Sequence, residues 1–207
     1  VVRYVASTTR NAIGPSVSDP RTGEILESDI IWYHNHLRSY RNRYLIETGA
    51  ANPTARTLDI PTEEIGEMMR RVICHEVGHA LGLPHNMKAS SAYPTDSLRS
   101  GAVTQKYGIA TTIMDYARFN YVAQPGDEGI RFVRQLGPYD EYCIEFGYRW
   151  YPDIFQPEDE KSKLNAFVSQ HSENPMYQFG RGYPDFEPAS QTECVGNDAM
   201  NASSYGI

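Results

Sequence analysis

One segment, HEVGHALGLPH at residues 75–85, constrains the fold of this chain more than any other feature. Residues four apart on a helix lie on one face, so His75 and His79 can offer two imidazole nitrogens to a single metal ion. Gly82 ends the helix, because glycine accepts the left-handed conformation that a sharp stop needs. The chain can then turn back and bring His85 to the same ion. The segment therefore predicts a helix that ends at a three-histidine metal site.

The spacing of this segment indicates catalytic zinc rather than structural zinc. Three protein ligands leave one position of a tetrahedral Zn²⁺ ion open, whereas structural sites are closed by four. Glu76 lies next to the first ligand without binding the metal, where a carboxylate can act as general base. HExxH alone is common, but adding Gly82 and His85 lowers the chance of accidental agreement to the order of 10⁻⁵ per chain. Ordinary core histidines are therefore a poor alternative.

The segment resembles the elongated HExxHxxGxxH motif of the metzincins, zinc endopeptidases that include astacins, serralysins and matrix metalloproteases. Metzincins carry a tight turn with a methionine beneath the zinc, and residues 112–116, TIMDY, match this Met-turn with Met114 as its methionine. In astacins and serralysins a tyrosine two residues later stabilises the oxyanion. The resemblance therefore implies that role for Tyr116, with an ordinary packed aromatic as the alternative.

The resemblance extends beyond the motif. The segment GPYDEYCIEFG at residues 137–147 resembles the helix that follows the Met-turn, and DPRTGEI and IMDYARFNY resemble a poorly characterised bacterial group of large secreted zinc-dependent metalloproteases. Location outside the cytoplasm is implied by this resemblance alone. Together the matches cover roughly residues 1–152. Residues 153–207 resemble only the bacterial group, and no role is assigned to them.

Two departures from the metzincin pattern limit what the resemblance implies. Asn86 follows the third histidine, where the best-known families have Ser, Asp, Glu or Pro, so none of their specificities is carried over. Metzincins also begin with a strand and a long helix that have no counterpart before Val1. We therefore expect the chain to be a fragment that has lost an N-terminal part.

Periodicity and turn residues predict an α+β fold. Strands are expected at residues 1–7 and 24–33, and a helix at residues 34–48. The active-site helix is expected at about 62–82, with Thr62 as a hydroxyl cap and acidic residues in its first turn. Further expectations, in chain order, are an ordered loop at 87–112, a helix at about 138–147, and short helices at 161–168 and 198–205.

Together with these elements, the resemblance implies one metzincin-like catalytic domain over residues 1–207. The N-terminal lobe, residues 1–86, is expected to hold a small twisted mixed sheet with the active-site helix above the cleft. The C-terminal lobe, residues 87–207, is expected to be mostly irregular or helical and to carry the Met-turn at about 112–116. A chain of this length buries enough surface to fold without a metal, so the zinc is expected to be functional.

Charge and hydropathy restrict the partners. The net charge of −7 lies entirely in residues 75–207, since basic and acidic residues balance in residues 1–74. An acidic half argues against nucleic acid, which selects basic surfaces, and offers no patch for a membrane surface. No stretch approaches the roughly 18 apolar residues of a membrane-spanning helix. A peptide or protein substrate fits the resemblance, and the oligomeric state stays open.

The remaining candidate sites are weaker. The spacing of Cys74, Cys143 and Cys194 matches no zinc ribbon and no disulfide framework; Cys74 is expected to be a buried apolar residue, and a Cys143–Cys194 disulfide stays open. Acidic residues in 153–207 could bind a structural Ca²⁺ ion, but no EF-hand spacing supports it. In metzincins the substrate pairs with an edge strand above the cleft, and residues 24–33 are the candidate for that edge.

The predicted function is zinc-dependent hydrolysis of peptide bonds, with Glu76 as general base. Two alternatives remain at this stage. One is a catalytically silent zinc-binding fragment or module, and the other is a zinc hydrolase that acts on a non-protein amide, since the same electrophile and base serve any such carbonyl. The sequence leaves the preferred cleavage site and the biological substrate open.

Overall fold

The computed structural model describes residues 1–182 and 187–206. The N-terminal part of the chain forms a small mixed sheet. Strand β1 (Val2–Val5) runs parallel to β5 (Ile30–Tyr33), and β2 (Ala12–Ile13) runs antiparallel to β5, giving the order β1-β5-β2. Strands β3 (Ser16–Ser18) and β4 (Ile25–Ser28) form a separate antiparallel ribbon. The α+β class and the mixed sheet expected from the sequence are confirmed.

The prediction of one continuous edge strand over residues 24–33 is wrong. The chain changes partners at Asp29, so that β4 pairs with β3 while β5 becomes the central strand of the other sheet. The Asp29 carboxylate accepts a hydrogen bond from Arg3 Nε at 2.8 Å, which anchors the junction. A β-branched, aromatic run looks the same on both sides of such a junction, so its composition cannot reveal the change. The edge of the three-stranded sheet on this side is β2.

Helices make up most of the remaining structure. In chain order the α-helices of the described residues are α1 (His36–Thr48), α2 (Thr62–Ala80), α3 (Gly101–Tyr107), α4 (Pro138–Tyr148), α5 (Pro157–His171) and α6 (Ala199–Tyr205). The expected helices at 34–48, 62–82 and 138–147 correspond to α1, α2 and α4. No described helix combines the length and apolar composition that crossing a bilayer requires.

Helix α2 is the element that joins the sheet to the rest of the chain. Val72 packs against Trp32 of β5 and Ala12 of β2. One turn earlier, Met68 packs in a cluster with Phe119. Burying each such apolar side chain stabilises the fold by about 1.5–3 kcal/mol, so this face fixes the position of the helix.

The start of α2 differs in one respect from the prediction. Pro61, not Thr62, precedes the first helical turn, and no side chain caps it. Glu63 and Glu64 do occupy that turn, as expected. Glu64 accepts hydrogen bonds from the hydroxyls of Tyr44 and Thr54, so side chains from the preceding elements tie down this end of the helix.

Residues 87–112 are not a loop without regular structure, as the sequence suggested. They contain 3₁₀ turns at Ala89–Ser91 and Thr95–Arg99, followed by α3. Leu98 lies in a buried cluster whose other buried members are Tyr93, Ile109, Val122, Val195 and Ala202. The segment has no repeating apolar pattern, so its helical turns could not be predicted from the sequence. Hydrogen bonds from side chains to backbone groups hold it instead. Asn120 Nδ2, for example, donates to the Leu98 carbonyl at 2.8 Å.

The C-terminal residues belong to this core. The short helices expected at 161–168 and 198–205 correspond to α5, which is longer, and to α6, whose first turn is capped by the Asp198 side chain. Val195 and Ala202 lie in the cluster around Leu98. Residues after 153, for which the sequence suggested no role, therefore help to build the body that supports the metal centre.

The three cysteines are free thiols, so the Cys143–Cys194 disulfide is not formed. Cys74 and Cys143 both pack against the cluster of Leu83, Ile113 and Met114. Cys74 is therefore an apolar packing residue, as its place on a helix predicted. Burial raises the pKa of all three thiols, which keeps them protonated.

The packing of α2 against Met114 makes a testable prediction with a matched control. A methyl group at Gly78 would collide with Sδ of Met114, whereas a methyl group at Gly66 of the same helix meets nothing within 4 Å. We expect Gly78→Ala to lower the free energy of unfolding by about 1–3 kcal/mol through overpacking. Gly66→Ala should raise it by about 0.5–1 kcal/mol through helix propensity. Urea unfolding of both variants measures the difference, and equal effects would contradict this packing.

Candidate metal centre

The end of α2 positions the first two histidines and returns the chain for the third. Gly82 has φ +85°, and its N–H donates to the His79 carbonyl at 2.9 Å. The Leu83 N–H donates to the Gly78 carbonyl, also at 2.9 Å. This pair of bonds is the Schellman arrangement, which needs a residue in the left-handed conformation and so favours glycine. It reverses the chain within one turn and brings His85 back toward the helix.

The three histidines converge on one point, and their geometry fits a zinc ion. His85 Nε2 lies 3.1 Å from His75 Nε2 and 3.0 Å from His79 Nε2. Tetrahedral zinc with nitrogens at about 2.05 Å holds them about 3.3 Å apart. Within the described part of the chain, these residues are the one group of three or more His, Cys, Asp or Glu side chains close enough to share a metal.

The outward-facing nitrogens of two ligands are fixed by backbone carbonyls. His75 Nδ1 lies 2.9 Å from the Ile113 carbonyl oxygen, and His79 Nδ1 lies 2.9 Å from that of Leu83. A carbonyl can only accept, so each Nδ1 carries the proton and each Nε2 lone pair is free for a metal. The tautomer that zinc requires is therefore imposed by the fold.

Burial also favours the neutral histidines that bind metals. It lowers the pKa of His75 to about 2, with the charge of Arg134 as the next cause. It lowers the pKa of His85 to about 4, helped by His79 and Arg134. Without a metal, both rings are therefore uncharged at neutral pH and available as ligands.

Met114 packs against the helix that carries the first two histidines. Its side chain is buried against Gly78 of α2, and its carbonyl oxygen lies 3.4 Å from the Asn86 nitrogen, next to the third histidine. The resemblance implied a methionine beneath the metal ligands, and the structure places Met114 against Gly78, between the first two histidines on α2.

Asp140 anchors the Met-turn and was not singled out from the sequence. Its carboxylate accepts the N–H groups of Ile113 at 2.9 Å and Gly137 at 2.8 Å, and the hydroxyl of Thr112. It thereby holds Ile113, whose carbonyl orients His75. The sequence does show an acidic residue in the first turn of the helix that starts at Gly137-Pro138. Nothing in the sequence connects that residue to the Met-turn.

Glu76 lies beside the ligands without being one of them. Its side chain is only 7% exposed and lines the same cavity as His75. Burial raises its pKa, and the backbone N–H of Gly14 acts in the opposite direction. Gly14 follows β2, so the edge of the sheet comes directly over this carboxylate.

Tyr116 lies on the open side of the centre. Its ring centroid is 4.5 Å from that of His85 and 5.5 Å from that of His75. The side chain is 43% exposed, unlike the buried neighbours of the Met-turn. Burial and the nearby Glu76 raise its pKa, so the phenol keeps its proton at neutral pH and can donate a hydrogen bond.

Asn86, the departure from the best-known metzincin families, has a packing role. It is fully buried, and its side-chain oxygen accepts from the N–H groups of Lys88 at 3.2 Å and Gly180 at 3.0 Å. Its amide donates to the Gln178 carbonyl at 3.0 Å. Asn86 therefore ties the third ligand to the C-terminal segment.

A cavity of about 230 Å³ lies beside α2, and His75, Glu76 and Tyr116 are among the residues that line it. Two buried arginines in its wall, Arg71 and Arg134, were not singled out from the sequence. Arg134 Nη1 donates to the Ile113 carbonyl at 3.2 Å, which is the same oxygen that orients His75. Only the fold brings these distant residues to one wall.

Comparison with known proteins agrees with this geometry. A protein-family model described as Met-zincin matches residues 57–207, which include α2, all three histidines and the Met-turn. No curated protein and no solved structure matches the chain.

Proposed function

The chain belongs to the Met-zincin family, and from this membership we propose that it is a zinc-dependent endopeptidase with Glu76 as general base. The family and the histidine triad indicate a zinc-binding protease domain whose substrates are peptides or proteins. One observation carries the finer proposal. Three histidine side chains converge close enough to share one metal ion, and the first of them lines an open cavity together with the buried carboxylate of Glu76.

His75, His79 and His85 would hold the zinc ion through Nε2. When bound, zinc supplies an electrophile that polarises the scissile carbonyl and acidifies a water molecule. Glu76 takes the proton from the attacking water at a carboxylate oxygen and delivers it to the leaving amine. The raised pKa of Glu76 makes it a stronger base than an exposed glutamate, so proton transfer to it is easier.

Tyr116 is proposed to donate its phenolic proton in a hydrogen bond to the oxyanion of the tetrahedral intermediate. Its position beside His85 and its exposure toward the cavity support this role. A donor aimed at charge that develops only in the transition state accelerates the reaction without tightening substrate binding.

The substrate is proposed to lie extended along β2. This strand pairs only with β5, so its other edge is free among the described residues. Asn11 and Ala12 line the cavity, and Gly14 lies over Glu76. A peptide added to this edge by β-augmentation would carry its backbone past the base. Resemblance to secreted metalloproteases extends the proposal to action outside the cytoplasm.

The proposed base is tested by Glu76→Gln, with Glu63→Gln as matched control. Glu63 is exposed in the first turn of the same helix. We expect zinc-loaded wild-type protein to cleave a quenched fluorescent peptide library, and Glu76→Gln to lose about 10²- to 10⁴-fold in kcat/KM because the amide cannot accept the proton. Zinc content and unfolding temperature are measured on all three proteins.

Two results would count against this proposal. Glu76→Gln protein that cleaves as fast as wild type would exclude Glu76 as the base. If neither wild type nor Glu76→Gln cleaves any peptide while each binds one zinc, a zinc-binding module or a hydrolase of non-protein amides would be favoured.

A second prediction concerns Tyr116→Phe. We expect kcat to fall about 10²-fold, the usual effect of removing one oxyanion donor, with KM, zinc content and stability nearly unchanged. Tyr121→Phe is the control, because that side chain packs against the core cluster around Leu98. Steady-state kinetics on one cleaved peptide decide the matter, and an unchanged kcat for Tyr116→Phe would remove the role.

A further inference from the structure

Arg71 and Arg134 place two buried positive charges in the wall of the active-site cavity. Their side chains are 5% and 6% exposed, and both line the cavity that also borders His75, Glu76 and Tyr116. Burying a charge is unfavourable unless a partner compensates it. Each guanidinium therefore needs a polar or negatively charged partner.

Arg71 has no polar partner within the described part of the chain. Its guanidinium carbon lies 4.3 Å from the Tyr40 ring centroid and 5.1 Å from that of Phe119. Stacking of this kind stabilises the charge but uses none of the N–H donors. Nε is buried without a hydrogen-bond partner, and no ion pair within 4.0 Å involves the side chain among residues 1–182 and 187–206.

Arg134 also has few hydrogen-bond partners. Its only side-chain hydrogen bond to a described residue goes to the Ile113 carbonyl, and its Nε has no partner. Burial lowers the pKa of Arg134 to about 9, and the charge of Arg71 is the next cause. Asp115 is near enough to oppose this shift, but within the described chain it forms no ion pair with Arg134 at 4.0 Å.

The other two arginines of the cavity wall behave differently. Arg118 pairs with Glu47 at 2.9 Å and with Glu193 at 2.7 Å. Arg43 lies 3.6 Å from Glu193. These two charges have ion-pair partners inside the protein, so among the four arginines of the cavity wall only Arg71 and Arg134 lack an ion pair within the described chain.

We propose that Arg71 and Arg134 form a carboxylate-binding pocket for the substrate. This inference rests on the proposed function and narrows its substrate class to peptides with a carboxylate beside the cleaved bond. The guanidinium fork matches a carboxylate through two parallel hydrogen bonds, and the match is strongest in a site shielded from water. The carboxylate can be an acidic side chain or the C-terminus of a peptide, since both present the same two oxygens.

The test compares peptides that differ only in one carboxylate. All three peptides end one residue beyond the scissile bond. The first has glutamate beside that bond and an amidated C-terminus, the second has glutamine there and an amidated C-terminus, and the third has glutamine and a free C-terminus. Binding is measured by calorimetry on zinc-loaded Glu76→Gln protein, and cleavage on zinc-loaded wild type. We expect the best carboxylate peptide to exceed the fully amidated glutamine peptide by roughly tenfold or more in both measurements.

Arg71→Met, alone and combined with Glu76→Gln, should reduce that ratio to about one. Arg70→Met is the matched control, because Arg70 is the next residue of α2, is exposed, and pairs with Glu67. It should keep the preference. Unfolding temperatures check each variant, and if Arg71→Met does not fold, the ratio of wild-type protein alone decides.

Each outcome has a defined meaning. Preference for the internal glutamate supports the pocket with a side chain as its ligand, and preference for the free C-terminus supports it with a terminal carboxylate. Equal binding and cleavage of all three peptides would overturn the inference while leaving the endopeptidase proposal intact. Arg71-dependent binding without any cleavage by wild type would support the pocket and contradict the proposed function.

Discussion

The backbone carbonyl of Ile113 connects the first metal ligand to the wall of the cavity, and the arrangement of the site depends on it. Its oxygen accepts hydrogen bonds from His75 Nδ1 and from Arg134 Nη1, and the N–H of the same residue is held by Asp140. The backbone of one residue thus fixes the tautomer of a ligand, the position of a buried charge in the cavity wall, and the connection to α4. Because backbone groups cannot change rotamer, the arrangement is set before any metal or substrate arrives.

Contacts elsewhere in the fold hold Ile113 and α2 in their relative positions. Gly78 allows Met114 to pack directly under the helix, and Gly82 reverses the chain so that His85 returns to it. Asn86 then ties the third ligand to the segment around residue 180. The C-terminal helices complete the core below these contacts, so the body under the metal centre is assembled from regions far apart in sequence.

The sequence predicted the parts of this site that are local. HExxH on a helix and a glycine stop are short-range patterns, and the structure brings all of the proposed ligands, Glu76, Met114 and Tyr116 together. The misses are the long-range features. Composition could not reveal that residues 24–33 split between two sheets at Asp29, nor that residues 87–112 fold through side-chain bonds to backbone. Asp140, Arg71 and Arg134 matter because of what they face, and no spacing records that.

Zinc K-edge X-ray absorption on the zinc-loaded chain tests the central claim most directly. Three histidine nitrogens and one open position predict one zinc per chain, with nitrogen or oxygen neighbours at about 2.0–2.1 Å and the imidazole scattering of three rings. A sulfur neighbour at about 2.3 Å would contradict this account, because it would mean that a cysteine such as Cys74 enters the coordination sphere in place of the third histidine.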